Sequence, residues 1–219
     1  GRRPMERSRM WYLIEQRERV LALTIEHIQL VGISVLAATL IGVPLGILCT
    51  RVRWLEGPIL NLSGILYTVP SLALFAIMIP YTGLGTSTAT IALCLYSLLA
   101  IIRNTVAGID EVPRATLDAS RGMGMTGRQR LFLVELPLAV PVIFAGIRVA
   151  TVAAVGIAVI AAVIGAGGLG RLIFDGLRTV NAEPVLAGAI MATVLALTAD
   201  WGLKRLGESL RRDIRAERG

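Results

Sequence analysis

Asp118-Ala119-Ser120-Arg121-Gly122-Met123-Gly124-Met125-Thr126-Gly127-Arg128-Gln129-Arg130-Leu131-Phe132-Leu133-Val134-Glu135-Leu136-Pro137 is the stretch that decides the fold. It closes a charged island, residues 103–137, set between long apolar runs. An island of this kind has to lie at a membrane face, yet its residues are ordered like a folded element. Acidic Asp110 and Glu111 precede Pro113, which marks a helix start. Residues 114–121 then read as a short helix containing Ala115, Leu117 and Ala119. Gly122 and Gly124 are expected to end it, because glycine accepts the left-handed conformation of a helix stop. Thr126 and Gln129 fit a capping box for a second helix, 131–136, expected to stop at Pro137. The island is therefore expected to be a helix, a glycine turn and a helix.

The surroundings make the chain an integral membrane protein. It is 55% hydrophobic and 17% charged, with mean hydropathy +0.72, more apolar than a soluble domain. Residues 57–102 and 149–170 hold no Asp, Glu, Lys or Arg. A crossing helix needs about 20 apolar residues, so the first run has room for two. The expected architecture is all-α, one transmembrane domain over 1–219, with about five spans at 24–48, 59–79, 86–102, 140–164 and 184–203. Residues 1–19 contain six Arg and no apolar h-region, so no cleaved signal is expected there. The first span is expected to act as an uncleaved anchor.

A net charge of +7 can suggest nucleic acid, but the charges cluster at span ends, as the positive-inside rule requires. With five spans, Arg51, Arg53, Arg103, Arg114, Arg121, Arg128, Arg130 and the basic C-terminal segment fall on one side. That side is assigned to the cytoplasm, and no nucleic-acid partner is expected. The basic N-terminal tail breaks the pattern: either it is an exception or a helix is miscounted.

Within the spans, Asn61, Gly64, Thr68 and Ser71 share a helical spacing, as do Ser87, Thr90, Cys94 and Ser97. Such stripes line a polar path or glue helices together; Asn61, Thr68, Ser71 and Ser97 are the path candidates. Gly42 and Gly46 read as a helix contact face with Pro44 as a kink, and Pro70 as a break in the second span. Arg148 is either functional or a snorkelling side chain. His27 beside Glu26 reads as an interfacial pair or a proton-coupled site. Cys49 and Cys94 read as small apolar residues. Gly165-Ala166-Gly167-Gly168-Leu169-Gly170 matches G-x-G-x-x-G, but an apolar helix precedes it where a dinucleotide site needs a strand. Gly165, Gly167, Gly168 and Gly170 are read as a tight turn at the outer end of span four. No glycine-rich loop is followed by a Walker Lys-Ser/Thr, so no cofactor is assigned to this chain.

The island resembles the "EAA" loop of permease subunits of ABC importers: Glu-Ala-Ala, three residues, Gly, nine residues, Ile-x-Leu-Pro. Here the pattern stands as Asp118-Ala119-Ser120, Gly124, Val134, Leu136-Pro137 with every interval kept. Asp replaces Glu, Ser the second Ala, and Val the Ile. Tyr67-Thr68-Val69-Pro70-Ser71-Leu72-Ala73, Ile102-Arg103-Asn104-Thr105, Gly122-Met123-Gly124-Met125-Thr126 and the 165–170 stretch look like the osmoprotectant branch: glycine betaine, choline, carnitine. Methionine importers share part of this. The resemblance implies a type I importer permease fold in the inner membrane, without enzymatic activity of its own. It implies a cytoplasmic ATPase carrying ATP and Mg, a second permease subunit (identical or not) and an extracytoplasmic binding protein. It also implies that Asp118, Ala119, Ser120, Gly122, Gly124, Leu136 and Pro137 form the ATPase-coupling loop, and that the 165–170 turn lies near the external gate. The competing readings are a permease for methionine or another amino acid, a self-contained secondary carrier, and a membrane enzyme or assembly factor. A carrier would want inverted repeats and intramembrane acids, and only Glu26 and Asp200 lie inside the expected spans. No His/Asp/Glu/Cys cluster supports the enzyme reading.

Overall fold

The computed structural model describes residues 15–216, with side chains for 15–209. Arg2, Arg3, Arg7 and Arg9 of the basic tail, and Arg218, lie outside the described residues. All regular structure among the described residues is helical: α1 (Arg17–Arg51), a 3-10 turn (Arg53–Leu55), α2 (Glu56–Thr68), α3 (Ser71–Thr82), α4 (Thr86–Asp110), α5 (Arg114–Gly122) and α6 (Gly127–Arg130). A π turn (Leu131–Glu135) leads into α7 (Leu136–Ala161), followed by a 3-10 turn (Ala162–Ile164), α8 (Gly170–Arg178) and α9 (Ala182–Ala216).

Four helical segments are long and apolar enough to cross a membrane: Arg17–Arg51, Thr86–Asp110, Gly127–Ile164 and Ala182–Ser209. The second expected span, 59–79, is not one helix. It is α2 and α3, bent by 100°. The break follows from Pro70, which forces the residue before it out of the helical region: Val69 sits at φ −65°, ψ 128°. The bent pair still runs from end to end of the bundle. Arg53, beside Glu56 at its start, bonds Asp110 (2.6 and 2.9 Å), while Gly85, just beyond its end, lies near Gly165.

The second expected difference concerns Pro137. The helix does not stop there; it continues from Gly127 to Ile164. Proline removes one i→i−4 bond and crowds the carbonyl four residues earlier. The wider i→i+5 turn over Leu131–Glu135 absorbs that misfit just ahead of the ring.

Helix α4 is the central post. Ala92, Leu93, Ile101 and Ile102 on it are fully buried. One large cluster joins Leu30, Val31 and Val35 of α1, Phe75 of α3, Leu93 and Tyr96 of α4, and Ala154 and Ala158 of α7. Lipid offers helices no hydrophobic incentive to associate, so close packing has to do it. A Cβ on Gly46 of α1 would come within 2.5 Å of Thr105 Cβ, and one on Gly146 of α7 within 2.6 Å of Asn104 Cβ. The outward faces carry Ile33, Leu36 and Leu40 on α1 and Ile190 and Leu197 on α9, all exposed. Trp54, in the 3-10 turn ahead of α2, and Trp201, between charged Asp200 and Lys204 on α9, are exposed and suit an interfacial belt.

Gly46→Ala should destabilise the fold by about 1–3 kcal/mol through overpacking. Gly32→Ala, with nothing within 4 Å of its Cβ, should change stability by less than about 0.5 kcal/mol. Thermal unfolding of the detergent-purified protein measures both.

Candidate functional site

At one end of the bundle, α5 stands out from the body as a short capped rod. Pro113 (φ −57°, ψ 131°) precedes it, and its carbonyl accepts from Thr116 N at 3.0 Å and Leu117 N at 3.2 Å. The helix closes in a Schellman pattern: Met125 N donates to Ser120 O at 3.1 Å and Gly124 N to Arg121 O at 2.9 Å. Of Gly122 and Gly124, the second takes the left-handed conformation, at φ +76°. Gly122, expected to share the stop, is the last helical residue. The capping box is present, with Thr126 N donating to Gln129 Oε1 at 2.8 Å and Gln129 N to Thr126 Oγ1 at 3.3 Å.

The rod has two faces. Asp118, Ala119, Gly122 and Met123 are exposed, and among the described residues Asp118 pairs with Arg121 one turn on, at 3.1 Å. Ser120 faces the body, 1% exposed, its hydroxyl donating to Leu117 O at 2.7 Å. Leu136 and Pro137 are half-buried at the start of α7.

Beneath α5 lies a cavity of about 370 Å³ bordered by Arg51, Arg53, Arg114, Arg130, Asp110 and Glu135. Glu135 is 3% exposed and is held by two guanidinium groups. Arg130 Nε donates to its Oε1 at 3.0 Å, while Arg51 Nη1 reaches Oε1 at 3.4 Å and Arg51 Nη2 bonds Oε2. A buried carboxylate is tolerated when paired in this way. It ties the last residue of α1 to the π turn ahead of α7. Next to it, the hydrogen bonds that the Arg53 guanidinium donates to Asp110 and then Glu56 push its pKa above the ordinary range.

The opposite end carries the glycine turn. Gly165 (φ 82°, ψ 15°) closes α7, with Ala166 N donating to Ala161 O at 3.2 Å. The turn is fastened to α1 by two adjacent residues. Glu26 Oε2 accepts from Gly168 N at 2.9 Å, and His27 Nδ1 accepts from Leu169 N at 3.3 Å. His27 Nε2 then has to be the protonated nitrogen, donating to Val155 O at 3.2 Å. The His27 ring is fully buried. A Cβ at Gly168, already at φ +73°, would lie 2.8 Å from His27 Nδ1. Glycine is thus required twice over. Glu26, Gln29, Thr86, Ser87, Gly167 and Arg171 border a cavity of about 700 Å³ beside the turn. Gly170 is buried where α8 begins.

The polar stripes are only partly preserved. Asn61 and Thr68 stay on α2, both exposed, with the Thr68 hydroxyl donating to Ile65 O. Ser71 opens α3 on the far side of the bend, so the four-residue stripe is interrupted. Ser97 is buried in α4 and donates to Leu93 O at 2.8 Å. Three constellations escape sequence reasoning: the Glu26/His27 clasp, the Arg51–Glu135–Arg130 group, and Arg148 with Asp200. Arg148 Nη2 donates to both Asp200 carboxylate oxygens at 2.8 Å, joining α7 to α9. That last pair had a signal, since each is the single charge in its expected span.

Over residues 42–212 the chain matches the family described as binding-protein-dependent transport system inner membrane component. The chain belongs to this family. It is 46% identical over 200 residues to the osmoprotectant import permease protein OsmW of Salmonella typhimurium (strain LT2), covering 89% of this chain and 93% of that protein. It is 44% identical over 180 residues to the choline transport system permease protein OpuBB of Bacillus subtilis (strain 168), covering 82% and 83%. Its fold matches a chain of the MetNI methionine ABC transporter in an inward facing conformation, with TM-score 0.78 and 24% identity, covering 94% and 99%. At that identity the likeness speaks for the fold alone. The protein is thus an inner-membrane ABC permease and not the ATPase, and its membership implies a binding protein and an ATPase as partners.

Glu135→Gln should lower the permease's stability by about 1–3 kcal/mol, the scale of hydrogen bonds to a charged group. Arg51→Met should cost less in that background than in the wild type, because the two share one interaction. A double-mutant cycle by thermal unfolding checks the coupling.

Proposed function

We propose that this chain is the transmembrane subunit of an ATP-driven importer that moves a small osmoprotectant (glycine betaine, choline or carnitine) into the cytoplasm by alternating access. The observation that carries the mechanism is α5: an exposed helix with both ends fixed, standing clear of the bundle on a buried ionic group. The solute class is supported by relatives whose names specify osmoprotectant, choline, and glycine betaine/carnitine/choline transport.

In this reading the 103–137 end faces the cytoplasm, and Asp118, Ala119, Gly122, Gly124 and Met123 meet a groove of the ATPase subunit. Small residues allow close approach, and Met123 supplies an adaptable apolar contact. Ser120, Leu136 and Pro137 belong to the inward side, where movement passes into α7. ATP and Mg are held by the ATPase. ATP-driven closure of two such subunits draws the coupling helices of two permease chains together and opens the path outward. An extracytoplasmic binding protein delivers solute at the 165–170 turn, and hydrolysis returns the path inward. The path itself runs between the two permease copies along the exposed polar face of α2, with Asn61 and Thr68 on its wall and Ser71 at the bend.

Asp118→Arg reverses the charge on the docking face, and Gly124→Val forces a β-branched residue to φ +76°, a strain of about 1–3 kcal/mol. Each should abolish uptake of labelled betaine, choline and carnitine and reduce ATPase co-purification, while membrane insertion is retained. Normal co-purification in both variants would sink the docking assignment; uptake of labelled methionine but none of the three solutes would sink the solute class.

A further inference from the structure

We infer that the cavity beside the bend of the second span is a solute subsite for zwitterionic trimethylammonium carboxylates. It has a volume of about 270 Å³ and is bordered by Tyr67, Tyr96, Arg103, Asn104, Val149 and Ala150 among others. This inference rests on the proposed osmoprotectant reading and adds the residues that would recognise the solute within the membrane.

Two aromatic rings form a corner of this cavity. Tyr67 and Tyr96 have centroids 6.2 Å apart and planes at 77°, so they present two walls nearly at right angles. Tyr96 is fixed, 5% exposed, with its hydroxyl donating to Val69 O at 2.5 Å. Tyr67 is 46% exposed and keeps ring surface available. A quaternary ammonium has no N–H to donate, so aromatic faces suit it better than a hydrogen-bonding acceptor does.

The other end of the cavity is basic. Arg103 is exposed and has no acidic partner among the described residues. A guanidinium without a carboxylate matches the bidentate geometry of one on a solute. Asn104 donates Nδ2 to Ala100 O at 2.8 Å, which leaves its Oδ1 free to accept from a solute hydroxyl. No acidic residue lines the cavity. Aromatic corner, free Arg103 and absence of acid together select a zwitterion over a simple cation: glycine betaine and carnitine fit both ends, whereas choline meets a positive charge where it has no anion.

The test is uptake by the whole transporter, assembled with its cognate ATPase and binding protein, of labelled betaine, carnitine and choline at saturating solute. Tyr67→Leu, which keeps apolar bulk but removes the ring, should cut the maximum rate for betaine about fivefold or more, and Tyr67→Phe should restore it. Arg103→Gln should move the choline-to-betaine ratio of maximum rates at least about fivefold toward choline. Amounts of permease in the membrane are matched by immunoblot, and the Arg103 ratio is internal to one preparation. Wild-type uptake with an unchanged rate in Tyr67→Leu, or an unchanged ratio in Arg103→Gln, overturns the subsite and leaves the functional reading standing. A wild-type transporter that carries none of the three overturns both.

Discussion

Everything in this bundle depends on how closely α1 and α7 approach α4. In a bilayer, helices gain nothing by hiding apolar side chains from a lipid that is equally apolar; contact must come from shape. Gly46 meets Thr105, and Gly146 meets Asn104 and the Ala100 carbonyl, at distances no larger residue permits. These contacts clamp α4 from both sides, which is why its core residues are fully buried while α9 keeps much of its surface exposed. With α4 fixed, the bent α2–α3 pair can lie against it without being continuous, and the two ends of the bundle acquire defined positions.

Those two ends are joined by the helix that contains α7, and α1 runs beside it with a polar fastening at each end. From Glu26 to Arg51, α1 rises about 38 Å. At one end the clasp is a pair of side-chain acceptors on the glycine turn, and at the other it is a guanidinium on buried Glu135. Both clasps hold the segments that begin and end α7, since the helix containing α7 runs unbroken from Gly127 to Ile164. The charged segment and the glycine turn are therefore each tied to α1 as well as to α7.

How much of this was legible depended on whether the cause was local. The membrane class, the all-helical fold, the capping box at Thr126–Gln129 and the break at Pro70 were readable, because apolar length, cap chemistry and proline sterics act within a few residues. The 100° of that break was not, since its size is decided by what α4 offers the two halves. Pro137 misled because proline stops a helix on its own, whereas a π turn ahead of it lets the helix pass. Gly122 and Gly124 were indistinguishable by residue type; the hydrogen bonds from Met125 and Gly124 choose the second. Glu26 and His27 looked interfacial because their partners lie 142 residues away. Along the candidate path, the spacing of Asn61, Thr68 and Ser71 was correct as periodicity and incomplete as geometry, because the bend falls between the last two.

That bend and the aromatic corner are consequences of one requirement. Backbone that leaves the helical register inside a membrane frees carbonyl groups, and lipid cannot satisfy them. At the break, Val69 is extended and its carbonyl points to a donor on another helix, the Tyr96 hydroxyl. Only a side chain with a long rigid reach and a terminal O–H can meet it from α4 while filling the core with its ring. Once Tyr96 is committed in this way, its ring stands at the bend, and Tyr67, three residues before Pro70, meets it nearly edge to face. The aromatic corner thus arises from the repair of a broken span, and a proline that costs the helix one donor brings a tyrosine to the bend.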